Sequence, residues 1–254
     1  SVLCIQCLFF ADGGLLALGC NAFNLGFWPA FAGLALYRKI AGASSTPWRL
    51  TLAAVAAALV SLELGALSVV FETLLSGRSE LPFSRFGAVM LGIHLPIALV
   101  EGLISAAVIQ FVARMMPAAS LRVASSRTPA LAALLGCALF IGMVAAWFAS
   151  SHPDGLEWSI ARVTGQEELA SHGALSARLQ DIQERTAFMP DYAFPASETT
   201  GETPVNVPER WPAISAGTSI AGLAGAVMTL MVLLAAGMAL RLVHSFIRRG
   251  VQPG

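Results

Sequence analysis

Five apolar stretches, each long enough to cross a bilayer, constrain this chain more than any other feature: residues 15–37, 50–71, 86–112, 129–149 and 218–240. A bilayer core takes about 20 apolar residues of α-helix, and helices satisfy their own backbone polar groups where no water can. Charged residues make up 12% of the 254, against about 25% in a soluble domain. Apolar residues make up 56% and the mean hydropathy is +0.73, so lipid must cover much of the surface. Residues 1–10 add half a span with no basic flank and no cleavage site, and are not expected to be a signal peptide. They read as the last turns of a helix begun earlier, and the sequence is expected to be a fragment truncated at its N-terminus. The expected fold is an all-α integral membrane protein. It is a polytopic helical bundle of about five complete transmembrane helices plus a partial one, with one long extracytoplasmic loop. Small residues such as Ala53, Ala54, Ala56–Ala58, Gly87, Gly92, Gly222 and Gly225 suit closely packed helices.

The charges orient this bundle. Residues 38–49 carry Arg38, Lys39 and Arg49 without an acid. Arg114, Arg122 and Arg127 lie between the third and fourth stretches, and Arg241, Arg248 and Arg249 in the tail. The other connections differ. Arg78 and Arg85 are offset by Glu80, with Glu72 just before, and residues 150–217 hold ten acids against four arginines, a net of −6. Threading the spans alternately puts every acid-free basic segment on one side, which the positive-inside rule makes cytoplasmic. The C-terminus is then cytoplasmic and the acidic loop extracytoplasmic, in a multi-pass protein of the cell membrane. Within that loop, IARVTGQEELASHGALSARLQDIQERT is expected to supply one or two short amphipathic helices. A strap with Pro190, Pro195, Pro204, Pro208 and Pro212 follows.

Polar groups inside a bilayer are costly, which makes each a functional candidate. In FFADGGLLALGCNAFN, Asp12, Gly13 and Gly14 form a tight turn at the outer surface, and Asn21 and Asn24 follow at i, i+3 on one helical face. The two asparagines either brace a ligand cavity or hold helices together. In MLGIHLPIALVEGL, His94 and Glu101 lie two turns apart with Pro96 between them, and Glu63 of the preceding span can approach. One histidine and one carboxylate fall short of a metal site, so structural pairing and a functional pair both stay open. His152, Asp154 and Glu157 open the acidic loop. They either attract a divalent cation or form a turn in which Asp154 caps a helix starting near Leu156. Cys4, Cys7, Cys20 and Cys137 all lie in apolar runs. The C-x-x-C of Cys4 and Cys7 lacks a neighbouring cation to activate it.

No H-E-x-x-H, G-x-S-x-G or G-x-x-x-x-G-K-[ST] occurs, so any ATP hydrolysis belongs to another subunit. No nucleic-acid motif occurs either, and the basic clusters flank spans as topology signals.

At DGGLLALGCNAFNLGF and MLGIHLPIALVEGLISAAV the sequence resembles the membrane substrate-capture subunit of energy-coupling-factor transporters for cobalt and nickel. Asp12, Gly13, Gly14, Gly19, Asn21, Phe23, Asn24, His94, Glu101, Gly102 and Leu103 fall on the phrases of that family. The second half resembles the small accessory subunit of the same systems, through Ser150, Ser151 and Pro153–Trp158 of SSHPDGLEW and through the closing helix. The resemblance implies three parts. Residues 1–115 are the C-terminal part of the capture subunit, 116–128 a cytoplasmic linker, and 129–254 an accessory domain of two transmembrane helices flanking loop 150–217.

The resemblance implies a transporter subunit rather than an enzyme, with Ni²⁺ or Co²⁺ as transported substrate and no bound cofactor. Its implied partners are a membrane coupling subunit, cytoplasmic ATPase subunits and the lipid bilayer. In the family the metal is held by the terminal amine, a histidine at the second position and a later histidine. None of the four histidines here matches those positions, so no metal ligand is named. Asn21 and Asn24 are expected to pack behind the site and Asp12 to shape its rim. Two other classes remain: a membrane scaffold or accessory subunit without a ligand, and an intramembrane enzyme built on Glu63, His94 and Glu101.

Overall fold

The computed structural model describes residues 2–42, 46–77, 81–115, 127–149, 152–166, 173–194 and 211–250. Arg78, Glu80, Arg122, Ser150, Ser151, most of the linker 116–128 and the strap residues Pro195, Pro204 and Pro208 lie outside them. The described residues are helical, with no strand among them. They form α1 (Val2–Phe9), α2 (Leu18–Ala22), α3 (Leu34–Ala41), α4 (Pro47–Ser76), α5 (Phe83–Met115), α6 (Arg127–Met143), α7 (Gly155–Thr164), α8 (Ala174–Thr186) and α9 (Ala216–Gly250). Contacts divide the chain into two compact units.

Among the described residues, three helical segments are long and apolar enough to cross a membrane: Pro47–Ser76, Phe83–Arg114 and Ala216–Val243. The other two apolar stretches are built differently. Residues 15–37 are not one regular α-helix, because two π-helical turns, Phe23–Phe27 and Pro29–Gly33, separate α2 from α3. Pro29 carries no N–H to donate, and a wider turn is one way a helix passes such a residue. Residues 129–149 form the C-terminal part of α6 followed by a 3₁₀ turn, Ala145–Phe148.

One unit comprises residues 19–133 and 151–173. Its centre is the pair α4 and α5. Thr46 and Pro47 open α4, and Gly77 in the left-handed conformation closes it. Lipid is as apolar as leucine, so close backbone approach and polar contacts must hold such helices together. Gly102 of α5 supplies the first, because a Cβ there would lie 2.7 Å from Val55 Cα. Gln110 supplies the second by donating to Thr51 Oγ1 at 2.9 Å. The hydroxyls of Thr51, Ser61, Ser68 and Thr73 bond back to the carbonyl four residues earlier, so each has an acceptor within an apolar helix.

The short helix α7 packs on this pair. Leu156, Ile160 and Val163, at i, i+4 and i+7, meet a buried cluster of Ala66, Val70, Phe86 and Met90.

The second unit comprises residues 1–18, 134–150 and 174–254. Ile5 and Phe10 of the N-terminal segment, Met189 and Ala221 of α9 form its buried core. Trp147 Nε1 donates to Ser219 Oγ at 2.9 Å, fastening the 3₁₀ turn to α9.

Candidate functional site

Two polar constellations stand out, one in each unit. The first is built around the Asp12–Gly13–Gly14 turn. After α1 the chain turns through Ala11 at φ 56° and Gly13 at φ 73°. Glycine accepts such an angle freely and alanine does not, so Ala11 marks local strain. Residues following α8 grip this turn through the backbone. Phe188 and Met189 donate to the Phe9 carbonyl at 3.1 and 3.3 Å, and Asp191 donates to that of Phe10 at 2.9 Å. Asp191 and Tyr192 also adopt positive φ, 50° and 59°.

Side chains complete the grip. Buried Gln183 of α8 donates to the Gly13 carbonyl at 2.7 Å and accepts from the Leu15 N–H at 3.3 Å. The Tyr192 hydroxyl donates to Asp12 Oδ2, and Gln6 Nε2 donates to the same carboxylate oxygen at 3.3 Å. Phe10 stacks on the Tyr192 ring at 5.0 Å. Burial first, and then the bond to Asp12, push the Tyr192 phenol up to about 12.

The second constellation lies in the unit of α4 and α5. Asn24, on the π-helical turn, is buried, and its Nδ2 donates to Glu72 Oε2 at 2.9 Å. Its Oδ1 has no partner. Gly65 of α4 permits this approach, since a Cβ there would lie 2.9 Å from the Asn24 carbonyl oxygen. Trp28 Nε1 donates to Ser68 Oγ at 2.8 Å, one helical turn before Glu72. Asn21, three residues before Asn24, is half-buried.

His94 and Glu101 are not brought together. His94 Nδ1 bonds the Met90 carbonyl at 2.7 Å. A carbonyl can only accept, so that nitrogen carries the proton. The rest of the ring faces Gly155, where a Cβ would come within 3.0 Å of it. Glu63 lies within electrostatic reach of His94. Glu101 is exposed and makes no hydrogen bond or ion pair among the described residues. The Gly155 of the PDGLEW phrase thus marks the close approach of α7 to His94.

Asp154 is the N-cap of α7. Its Oδ1 accepts from the N–H groups of Leu156 and Glu157, both at 2.8 Å, and Glu157 Oε2 accepts from the Asp154 N–H at 3.1 Å. This reciprocal capping box engages both carboxylates. Asp154→Ala is therefore expected to cost about 1 kcal/mol of helix stability, read as faster amide exchange across residues 155–164. Unchanged exchange there would show that packing alone holds α7. Among the described residues, no group of three or more His, Cys, Asp or Glu side chains is placed to hold a metal ion.

Sequence reasoning did not single out Gln6, Glu72, Gln183 or Tyr192 as site residues. Glu72 carries a local signal, an acid one residue beyond the apolar stretch 50–71. Gln183 and Tyr192 carry none, because their partners lie some 170 or more residues away in the chain.

Two family models match in succession. The cobalt uptake substrate-specific transmembrane region matches residues 1–119, and the PDGLE domain matches residues 128–242. The chain is 30% identical over 229 residues to a protein of Archaeoglobus fulgidus provisionally named a fused nickel transport protein, covering 90% of this chain and 66% of the relative. It is 29% identical over 121 residues to a protein of Methanococcus voltae provisionally named a cobalt transport protein, covering 46% of this chain and 52% of the relative. The chain thus spans less than two thirds of the length of either relative. No solved structure matches it.

Proposed function

We propose, from the match of residues 1–119 to the cobalt uptake substrate-specific transmembrane region and of residues 128–242 to the PDGLE domain, that this chain is a membrane component of a nickel or cobalt importer. In this reading it takes part in capturing the ion on the outer side. A transmembrane coupling subunit and cytoplasmic ATPases drive its release inside. The support is the order of the two family matches together with helices suited to a bilayer.

The same reading assigns the topology. Five spans and a partial one alternate so that the basic segments are cytoplasmic and loop 150–217 is extracytoplasmic. The domains follow as 1–115, the linker 116–128 and 129–254. Asp12, Gly13 and Gly14 shape the outer rim, and the observation that carries this role is the grip of Gln183 and Tyr192 on that turn. The accessory loop then acts as a clasp on the capture domain. Asn21 and Asn24 brace the bundle of α4 and α5, and His94 and Asp154 seat α7. No role is assigned to Glu101.

Uptake of radioactive nickel by cells producing the complete transporter, with and without this chain, tests the reading. Uptake that does not depend on the chain would refute it. The ligand positions implied by the family resemblance have no counterpart among the four histidines here. Residues 1–254 alone are therefore expected to bind nickel more weakly than micromolar by calorimetry. Micromolar binding would place the primary ligands within this chain.

A further inference from the structure

Within the bundle, the Asn24 amide presents an unusual problem. It is only 4% exposed, its nitrogen is committed to Glu72, and its oxygen has no partner. A buried amide oxygen without a partner is costly, and such groups in native proteins call for an explanation such as a bound water or ion. Three features around it share one chemistry. Asn24 occupies only Oε2 of Glu72. Cys20 precedes Asn24 by one helical turn and lies beside the same carboxylate. The helix widens into a π-helical turn at Phe23–Phe27, a distortion that recurs at functional sites.

We propose that Cys20, Asn24 and Glu72 form a second divalent-cation site, a weak intramembrane station for the transported ion. It rests on the importer reading above and adds a place where the ion pauses. A carboxylate oxygen, an amide oxygen and a thiolate give a mixed donor set. Such a set suits a borderline transition-metal ion better than Mg²⁺ or Ca²⁺, which take oxygen ligands alone. The ion binds Cys20 as thiolate, with the thiol proton released to solvent, and the Asn24 oxygen gains the partner it lacks. Two charged or ionisable donors are too few for tight resident binding, which is the condition for passing an ion onward.

The test uses the whole chain in lipid nanodiscs, with Cys4, Cys7 and Cys137 changed to alanine so that Cys20 is the sole thiol, titrated with cobalt(II) chloride. A saturable thiolate-to-cobalt charge-transfer band is expected. It should vanish in Cys20→Ala, and the cobalt Kd should rise about tenfold or more in Glu72→Gln and in Asn24→Ala. Circular dichroism identifies any variant that has lost its helices. Absence of a saturable band, or unchanged affinity in both Glu72→Gln and Asn24→Ala, overturns the proposal. The importer reading is judged separately, by uptake. A band with these dependences and no uptake would leave the site standing and remove the transport role alone. Uptake without a band would do the reverse.

Discussion

Replacing Gly102 with leucine is expected to separate α4 from α5 and to cost about 3 kcal/mol or more. The reason lies in what holds spanning helices together. Lipid chains solvate an apolar side chain as well as a neighbouring helix does, so association depends on close packing and polar contacts. At Gly102 the backbone of α4 comes so near that even a Cβ would lie 2.7 Å from Val55 Cα and 3.2 Å from Ala58 Cβ. Backbone cannot swing aside as a flexible side chain can. The helices must move apart, and the bond from Gln110 to Thr51 is lost with the packing.

Gly92, on the same helix, supplies the control. A Cβ there meets nothing within 4 Å. Leucine at that position is expected to be tolerated, or slightly stabilising, since glycine costs up to about 1 kcal/mol in a helix interior. Thermal unfolding of both variants in detergent, followed by helical ellipticity, separates the cases. Equal midpoints would show that the pair is held by something other than this contact.

The apolar stretches 50–71, 86–112 and 218–240 announced α4, α5 and α9 because twenty apolar residues in succession have few other fates. Asp154 was legible as a cap for the same kind of local reason, since the bonds of a capping box span three residues. Where the interaction was long-range, the sequence was silent. The π-helical turns depend on how residues 23–33 pack against α4, through Asn24, Gly65, Trp28 and Ser68, as well as on Pro29. His94 and Glu101 are two turns apart and share a face by spacing. Gly155 lets α7 come against His94, and among the described residues no hydrogen bond or ion pair reaches Glu101. Gln183 and Tyr192 are an ordinary polar pair in a polar segment until the chain carries them to the Asp12–Gly13–Gly14 turn. Both charge pattern and family phrases pointed to that turn, yet neither indicated what grips it.

Opening that grip is expected to follow from a single change, Gln183→Ala. The substitution removes two hydrogen bonds at once, one to the Gly13 carbonyl and one from the Leu15 N–H. At about 1 kcal/mol each, their loss raises the open population of the clasp about thirtyfold. Amide exchange at residues 11–15 should accelerate accordingly, and nickel uptake by the complete transporter should fall with it. Acceleration without a fall in uptake would make the clasp structural only. Unchanged exchange would mean that the backbone bonds from Phe188, Met189 and Asp191 suffice.

Alkali provides an independent handle on the same contact. The clasp holds Tyr192 as neutral phenol, and its value of about 12 in the folded chain lies above the roughly 10 of a free tyrosine. Above pH 10 the released form ionises while the clasped form does not. The stabilisation is therefore complete below pH 10 and is lost as pH rises through about 12. Tyr37 is the other tyrosine of the chain, so Tyr37→Phe leaves tyrosinate absorbance to report Tyr192 alone. Asp12→Asn should move that midpoint downward, but only part of the way to 10, because burial outranks the Asp12 bond as the cause of the shift. A midpoint near 10 in both forms would mean that Tyr192 is already free in solution and that the turn is held by Gln183 and the backbone.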